Sequence, residues 1–173
     1  MYQHTRPELR ERGLSCTDDL FVMNTKNAST LNDVIETLKD GQAGFRAAAE
    51  DIQNPELKDL FSRYSLQRSQ FAGQLQTLAR EAGEHDPEDS GSVAGALHRG
   101  WIDLKTALAS RDEHAVLAEC ERGEDVAVSA YEKALEDAEL SQNVRAILQE
   151  QFAEVKAAHD NIKILRDATK AKA

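Results

Sequence analysis

Residues 31–57 read LNDVIETLKDGQAGFRAAAEDIQNPEL, and they specify two helices joined by a tight turn. Asn54 is a suitable helix cap, Pro55 suits the first helical position, and Glu56 favours the positive end of a helix. Before this turn, one line of positions recurs at alternating steps of four and three, as expected for the packed face of a helix. That line is Leu31, Ile35, Leu38, Gln42, Phe45, Ala49 and Ile52. Because the turn between the helices is so short, we predict that they pack as antiparallel neighbours.

Three later segments have the same four-three spacing. Their packed faces run from Leu57 to Leu78, from Leu117 to Ala138 and from Val144 to Leu165. Adding 86 to positions of the first helix, or 87 to those of the second, gives matching positions in the third and fourth. Two related helical hairpins joined by a long connection predict an all-α, ferritin-like four-helix bundle.

The pattern divides the chain into an N-terminal arm and one bundle. We predict a flexible arm over residues 1–28 and a bundle over residues 29–170. Met23 would itself be a plausible natural start, so the first 22 residues are left out of the fold prediction. The expected helices cover about 30–52, 55–82, 112–138 and 141–168, with a shorter crossover helix at about 93–109. Trp101 is expected to anchor that crossover helix on the bundle.

Composition limits the class of protein. The 173 residues include 31 acidic and 21 basic side chains, a net charge of −10, which argues against binding nucleic acid. Aromatic residues make up 5%, which favours helices over a β-sandwich. The chain has no apolar run long enough for a transmembrane helix, no secretory signal and no cationic amphipathic face, so we predict a cytoplasmic protein without membrane binding.

The two cysteines, Cys16 and Cys120, are too few for a disulfide framework and lack the spacing of a metal site. We expect two reduced thiols. A regulatory bridge between them is the alternative.

A ferritin-like bundle raises the possibility of a di-iron centre. Such a centre takes a Glu from each of two helices and Glu-x-x-His from each of the other two, because residues three apart share a helical face. In this chain the repeat-related positions hold Leu38, Gln67, Glu124 and Glu154, followed three residues later by Gln70 after Gln67 and by Ala157 after Glu154. We therefore do not expect a complete di-iron centre.

Two interpretations of the bundle centre follow. In one, Glu121, Glu124 and Glu154 form a weak site for iron or another divalent metal. In the other, which we favour and which needs no cofactor, Gln67, Arg68 and Gln70 form a polar layer in which Glu124 and Glu154 pair with Arg68 and Gln67. The reason is that an inward-facing arginine requires a partner.

Four segments carry a family resemblance: LNDVIETLKDGQAGF, LQRSQFAGQL, GALHRGWIDLK and ECERGEDVAVSAYEKAL. Together they make residues 30–167 resemble a bacterial family of ferritin-like four-helix-bundle proteins of unknown function. The resemblance implies the bundle fold and a bacterial protein associated with stress conditions, and it implies no activity.

The sequence thus supports two hypotheses about function. The first is a non-enzymatic interaction or structural protein that forms a homodimer or binds another protein, since most soluble oligomers are homo-oligomers. The second is a divergent metal-dependent oxidase or iron-handling protein with a reduced ligand set.

Overall fold

The computed structural model describes residues 16–83 and 95–170, with side chains described for residues 28–83 and 103–169. Within these ranges the chain forms five helices and no strand: α1 Cys16–Asp51, α2 Pro55–Glu81, α3 Gly95–Ser110, α4 Glu113–Glu136 and α5 Gln142–Lys170. The predicted all-α bundle is confirmed. None of the described helices is both long and apolar enough to cross a membrane.

The first helix starts earlier than the sequence pattern suggested. Residues 16–28, assigned to a flexible arm, belong to α1, which runs without a break from Cys16 to Asp51. Neither proline nor glycine occurs between Gly13 and Gly41, so nothing stops the helix from extending beyond its packed face. Residues 1–15, the rest of the predicted arm, lie outside the described part of the chain. The other helix ends fall within two residues of the expected positions.

The turn between α1 and α2 is built by its cap. The Asn54 side-chain oxygen accepts hydrogen bonds from the backbone N–H groups of Glu56 at 3.0 Å and Leu57 at 3.4 Å. Pro55 is the first helical residue, where its missing N–H would have had no partner within the helix. This turn reverses the chain within three residues and makes α1 and α2 a tightly packed hairpin.

The four long helices form a ring in the order α1, α2, α5, α4. Thr30 near the start of the packed part of α1 donates to Asp137 just after α4, so these two helices run antiparallel. The short α4–α5 connection makes the second hairpin, and α3 packs against α4 and α1. The backbones of α2 and α5 stay further apart than those of the other neighbours, and polar side chains bridge the gap.

The apolar core consists of two clusters, one towards each end of the ring. One surrounds Leu31, Leu75 and Leu148. The other surrounds Phe61 and Leu117, and α3 contributes to it. Buried Arg68, Glu121 and Glu124 lie between these clusters along α2 and α4, whereas buried Gln151 lies within the first cluster on α5. The fold therefore places a polar site at the centre of an otherwise apolar interior.

The turn from α3 into α4 contains a backbone conformation that L-residues rarely adopt. Arg111 has a φ of 57°, in the left-handed region. Asp112 follows and caps α4, accepting from the N–H groups of His114 at 3.0 Å and Ala115 at 3.2 Å. The N–H of Arg111 donates to the Leu108 carbonyl at 3.1 Å, so this left-handed residue closes the end of α3 directly before the cap of α4.

Replacing Arg111 by glycine should stabilise the fold. The left-handed conformation of an L-residue costs about 1–2 kcal/mol of folding free energy. Glycine avoids that cost but loses about 0.4–1 kcal/mol, because it increases the entropy of the unfolded chain. We expect Arg111→Gly to raise Tm by a few degrees in thermal unfolding followed by circular dichroism. Arg111→Ala removes the same side chain but keeps the strain, so it is the matched control. A Tm for Arg111→Gly no higher than that of Arg111→Ala would contradict the assignment of strain.

Candidate functional site

An ion pair crosses the middle of the bundle. Arg68 extends from α2 to the diagonally opposite helix α4, where its Nη2 donates to Glu124 Oε2 at 2.5 Å. Arg68 is 0% exposed and Glu124 is 1% exposed. Burial raises the pKa of Glu124, and the charge and hydrogen bond of Arg68 oppose that rise. Each charge, costly to bury alone, is thus compensated by the other, while Arg68 Nε has no hydrogen-bond partner within the described part of the chain.

The space for Arg68 is provided by α1. A Cβ on Gly41 would lie 3.7 Å from Arg68 Cγ and 3.8 Å from Cδ, so the bare backbone lies close beside the arginine stem. One helical turn later, the ring of Phe45 lies 5.9 Å from the Arg68 guanidinium carbon, within the range of a cation–π interaction. Gly41 of α1 therefore accommodates a long charged side chain.

A chain of hydrogen bonds connects this ion pair to the surface. Gln67 accepts from Arg68 Nη1 at 2.7 Å through its side-chain oxygen. Its amide nitrogen donates to Glu154 Oε2 on α5 at 2.6 Å. We call Glu154, Gln67, Arg68 and Glu124 the central polar network. It runs from an exposed carboxylate on α5 to the buried carboxylate on α4.

A second set of polar contacts supports the same gap between α2 and α5. Buried Tyr131 donates to Gln151 at 2.7 Å, and Gln151 donates to Gln74 on α2 at 2.7 Å. Burial raises the pKa of the Tyr131 hydroxyl, which keeps it protonated as a donor. Near the other end, Asn161 donates to Tyr64 at 2.9 Å. The α2–α5 interface is thus held by side-chain hydrogen bonds along much of its length.

The structure does not bring the three candidate metal ligands together. Glu124 contacts Arg68, Glu154 contacts Gln67, and Glu121 pairs with Arg166 from α5. Within the described residues, no group of three or more His, Cys, Asp or Glu side chains is arranged to hold a metal ion. Each carboxylate instead has a separate partner from within the protein.

One sequence assignment at this site needs correction, and one ion-pair partner was missed by the sequence analysis. Gln70, placed in the polar layer, is exposed, because two residues beyond Arg68 correspond to about 200° around the helix. Arg166 was missed as the partner of Glu121. The short connection between α4 and α5 sets an antiparallel register that places the start of α4 beside the end of α5, and that signal could have suggested the pair.

Cys120 is free and buried, and burial raises the pKa of its thiol. The side chains of Cys16 and Trp101 are not among those that the structure describes. The prediction that Trp101 anchors the crossover helix therefore lies outside the described residues.

The arrangement defines a class of protein: an all-α bundle with a buried ion pair between two of its helices. The chain belongs to the family described as a domain of unknown function, DUF2383, which matches residues 26–137. That match contains Gln67, Arg68 and Glu124 and ends before α5, which carries Glu154. The search of curated proteins found no match to the chain.

Removing one member of the buried pair should be far more damaging than removing both. We expect Arg68→Met to cost about 3–5 kcal/mol in the free energy of unfolding, because Glu124 is left as an unpaired buried charge. The double variant Arg68→Met/Glu124→Leu should recover much of that loss. Urea denaturation measures both values.

The matched control is the exposed pair between Lys133 and Asp33, whose nitrogen and oxygen lie 3.3 Å apart. Lys133→Met should cost no more than about 1 kcal/mol. Equal costs for Arg68→Met and Lys133→Met would show that the buried pair does not constrain the fold.

Proposed function

We propose that this chain is a non-enzymatic interaction or structural protein built on a ferritin-like bundle. The observation that carries the proposal is the Arg68–Glu124 ion pair at the bundle centre, 2.5 Å long and buried. A guanidinium there supplies the positive charge that a carboxylate would otherwise take from a metal ion.

The helix arrangement supports the ferritin-like assignment. Two hairpins, α1–α2 and α4–α5, are joined by a connection that contains α3. That connection returns the chain to the end where α2 began, so α2 and α4 run in the same direction on opposite corners of the ring. One long crossover between the second and third long helices is the connectivity of ferritin-like bundles.

The other candidate carboxylates support the same proposal. Glu121 is neutralised by Arg166, and Glu154 accepts from Gln67, whose amide orientation is fixed by Arg68. A metal that recruited these carboxylates would have to break two ion pairs and reorient an amide. The polar groups are thus arranged to stabilise one packing of the helices.

Iron binding tests the proposal against the alternative of a divergent oxidase or iron-handling protein. We expect protein purified without chelator to contain no stoichiometric metal. An anaerobic titration with Fe(II), followed by exposure to oxygen, should show no site-dependent oxidation, because the carboxylates already have cationic or amide partners. Metal analysis and absorbance spectroscopy provide the measurements.

Glu150→Ala, which removes an exposed carboxylate from α5, is the matched control for Glu154→Ala. Stoichiometric iron whose oxidation is lost in Glu124→Ala and Glu154→Ala but retained in Glu150→Ala would overturn the non-enzymatic function.

We further propose that the interaction partner is a second copy of the chain in the bacterial cytoplasm. The support is the prevalence of twofold homo-oligomers among soluble proteins, together with a free buried thiol, which suits a reducing compartment.

Sedimentation velocity at several concentrations should give twice the chain mass of 19.2 kDa. A single species of one chain mass across the micromolar range would show that the homodimer is wrong.

A further inference from the structure

One histidine of α5 contacts two carboxylates, one on its own helix and one on α4. His159 on α5 has its Nε2 2.9 Å from Asp125 Oδ1 on α4 and its Nδ1 2.9 Å from Asp160 Oδ1 on α5. Its side chain is only 14% exposed, whereas that of Asp125 is 64% exposed. Both ring nitrogens therefore face a carboxylate oxygen at hydrogen-bond distance, and one of these contacts links two helices.

This geometry suits only the protonated ring. A neutral imidazole carries one N–H, so one of its nitrogens would present a lone pair to a carboxylate oxygen. The imidazolium donates at both nitrogens and forms two charge-assisted hydrogen bonds. Loss of the proton removes one of these bonds and leaves two negative groups around an uncharged ring.

The charged groups that act on His159 lie on α5 and α4, and α2 contributes only through its ion pair with Glu124. On α5, Lys156 pairs with Asp160 at 3.3 Å. On α4, Glu124 lies next to Asp125 in the chain, and the positive charge of His159 acts to lower the pKa of Glu124. On α2, Arg68 neutralises Glu124. Asp125 and Asp160 are thus the carboxylates in direct contact with the ring, and Glu124 is compensated by its own partner.

We propose that His159 is a proton-dependent clamp that holds α5 against α4 and loosens when the imidazolium loses its proton. The clamp contacts α4 at Asp125, directly beside the buried ion pair. A change in proton concentration is therefore transmitted to the helix that carries Glu124.

The direction of the pH effect follows from the contacts. Partial burial lowers the pKa of His159, but the hydrogen bonds to Asp160 and Asp125 and their negative charges outweigh it, so the pKa in the folded state is raised above 6.5. Below the unfolded value of about 6.5, both states are protonated and the clamp contributes its full stability. That contribution is lost as the pH rises through the raised folded value.

Thermal unfolding of the full chain at pH 5.5 and pH 8.5 tests the clamp. We expect His159→Gln to lower Tm clearly more at pH 5.5 than at pH 8.5. Other groups that titrate over this range are present in both proteins, so their effects largely cancel in the difference. His114→Gln is the matched control, because His114 Nδ1 contacts the Arg166 carbonyl and the Thr169 hydroxyl rather than a carboxylate. Its effect on Tm should differ less between the two pH values.

A second measurement keeps the proposal testable if His159→Gln folds poorly. Titration followed by NMR should give His159 a pKa above 6.5 that moves back towards 6.5 in Asp125→Asn, whose exposed position leaves the core intact. Faster amide hydrogen exchange in α5 of the Asp125→Asn variant should accompany that shift at pH 5.5. A His159 pKa near 6.5 that does not change in Asp125→Asn would contradict the proposed clamp. So would a decrease in Tm in His159→Gln that is the same at pH 5.5 and pH 8.5.

Discussion

The ion pair between Arg68 and Glu124 constrains how the helices can pack, because neither charge can remain alone in the interior. It joins α2 to α4 across the bundle, and its 2.5 Å contact allows little sliding of one helix along the other. Gly41 leaves room for the arginine stem and Gln67 holds the guanidinium from the other side. The two apolar clusters on either side exclude water from the pair. The Arg68–Glu124 contact thus links the relative position of α2 and α4 to the burial of the residues at the bundle centre.

The interfaces of the bundle differ in character. The helices within each hairpin pack closely, whereas α2 and α5 are bridged by Gln67–Glu154, Gln74–Gln151 and Tyr64–Asn161. Hydrogen bonds depend on direction more than apolar contacts do, so this interface specifies one register of α5. On its other side, α5 is held to α4 by Glu121–Arg166 and Asp125–His159. The buried apolar face of α5 is therefore supplemented on both sides by polar contacts, two of which depend on charge.

Most of the fold could be predicted from the sequence. Of the central site, the sequence predicted the Arg68–Glu124 pair but not the Arg166–Glu121 pair. The four-three spacing located the packed faces, and the Asn54 cap with Pro55 located the turn between α1 and α2. An inward arginine implied a carboxylate partner, and Glu124 was the carboxylate on the facing line. The start of α1 was misplaced because a helix can continue without an apolar face. Arg166 was missed because it lies next to the packed line of α5 and reaches Glu121 through a long side chain.

Local pattern was enough to define the helices, their caps and their buried faces, because those depend on residues within a few turns of one another. The same pattern did not decide whether the charged residues at the bundle centre bind a metal ion or form ion pairs. That choice depends on which side chains meet across three helices, at distances set by the packing of the whole ring. Only the folded chain brings Arg68 to Glu124, Gln67 to Glu154 and Arg166 to Glu121, and so gives each carboxylate its own partner.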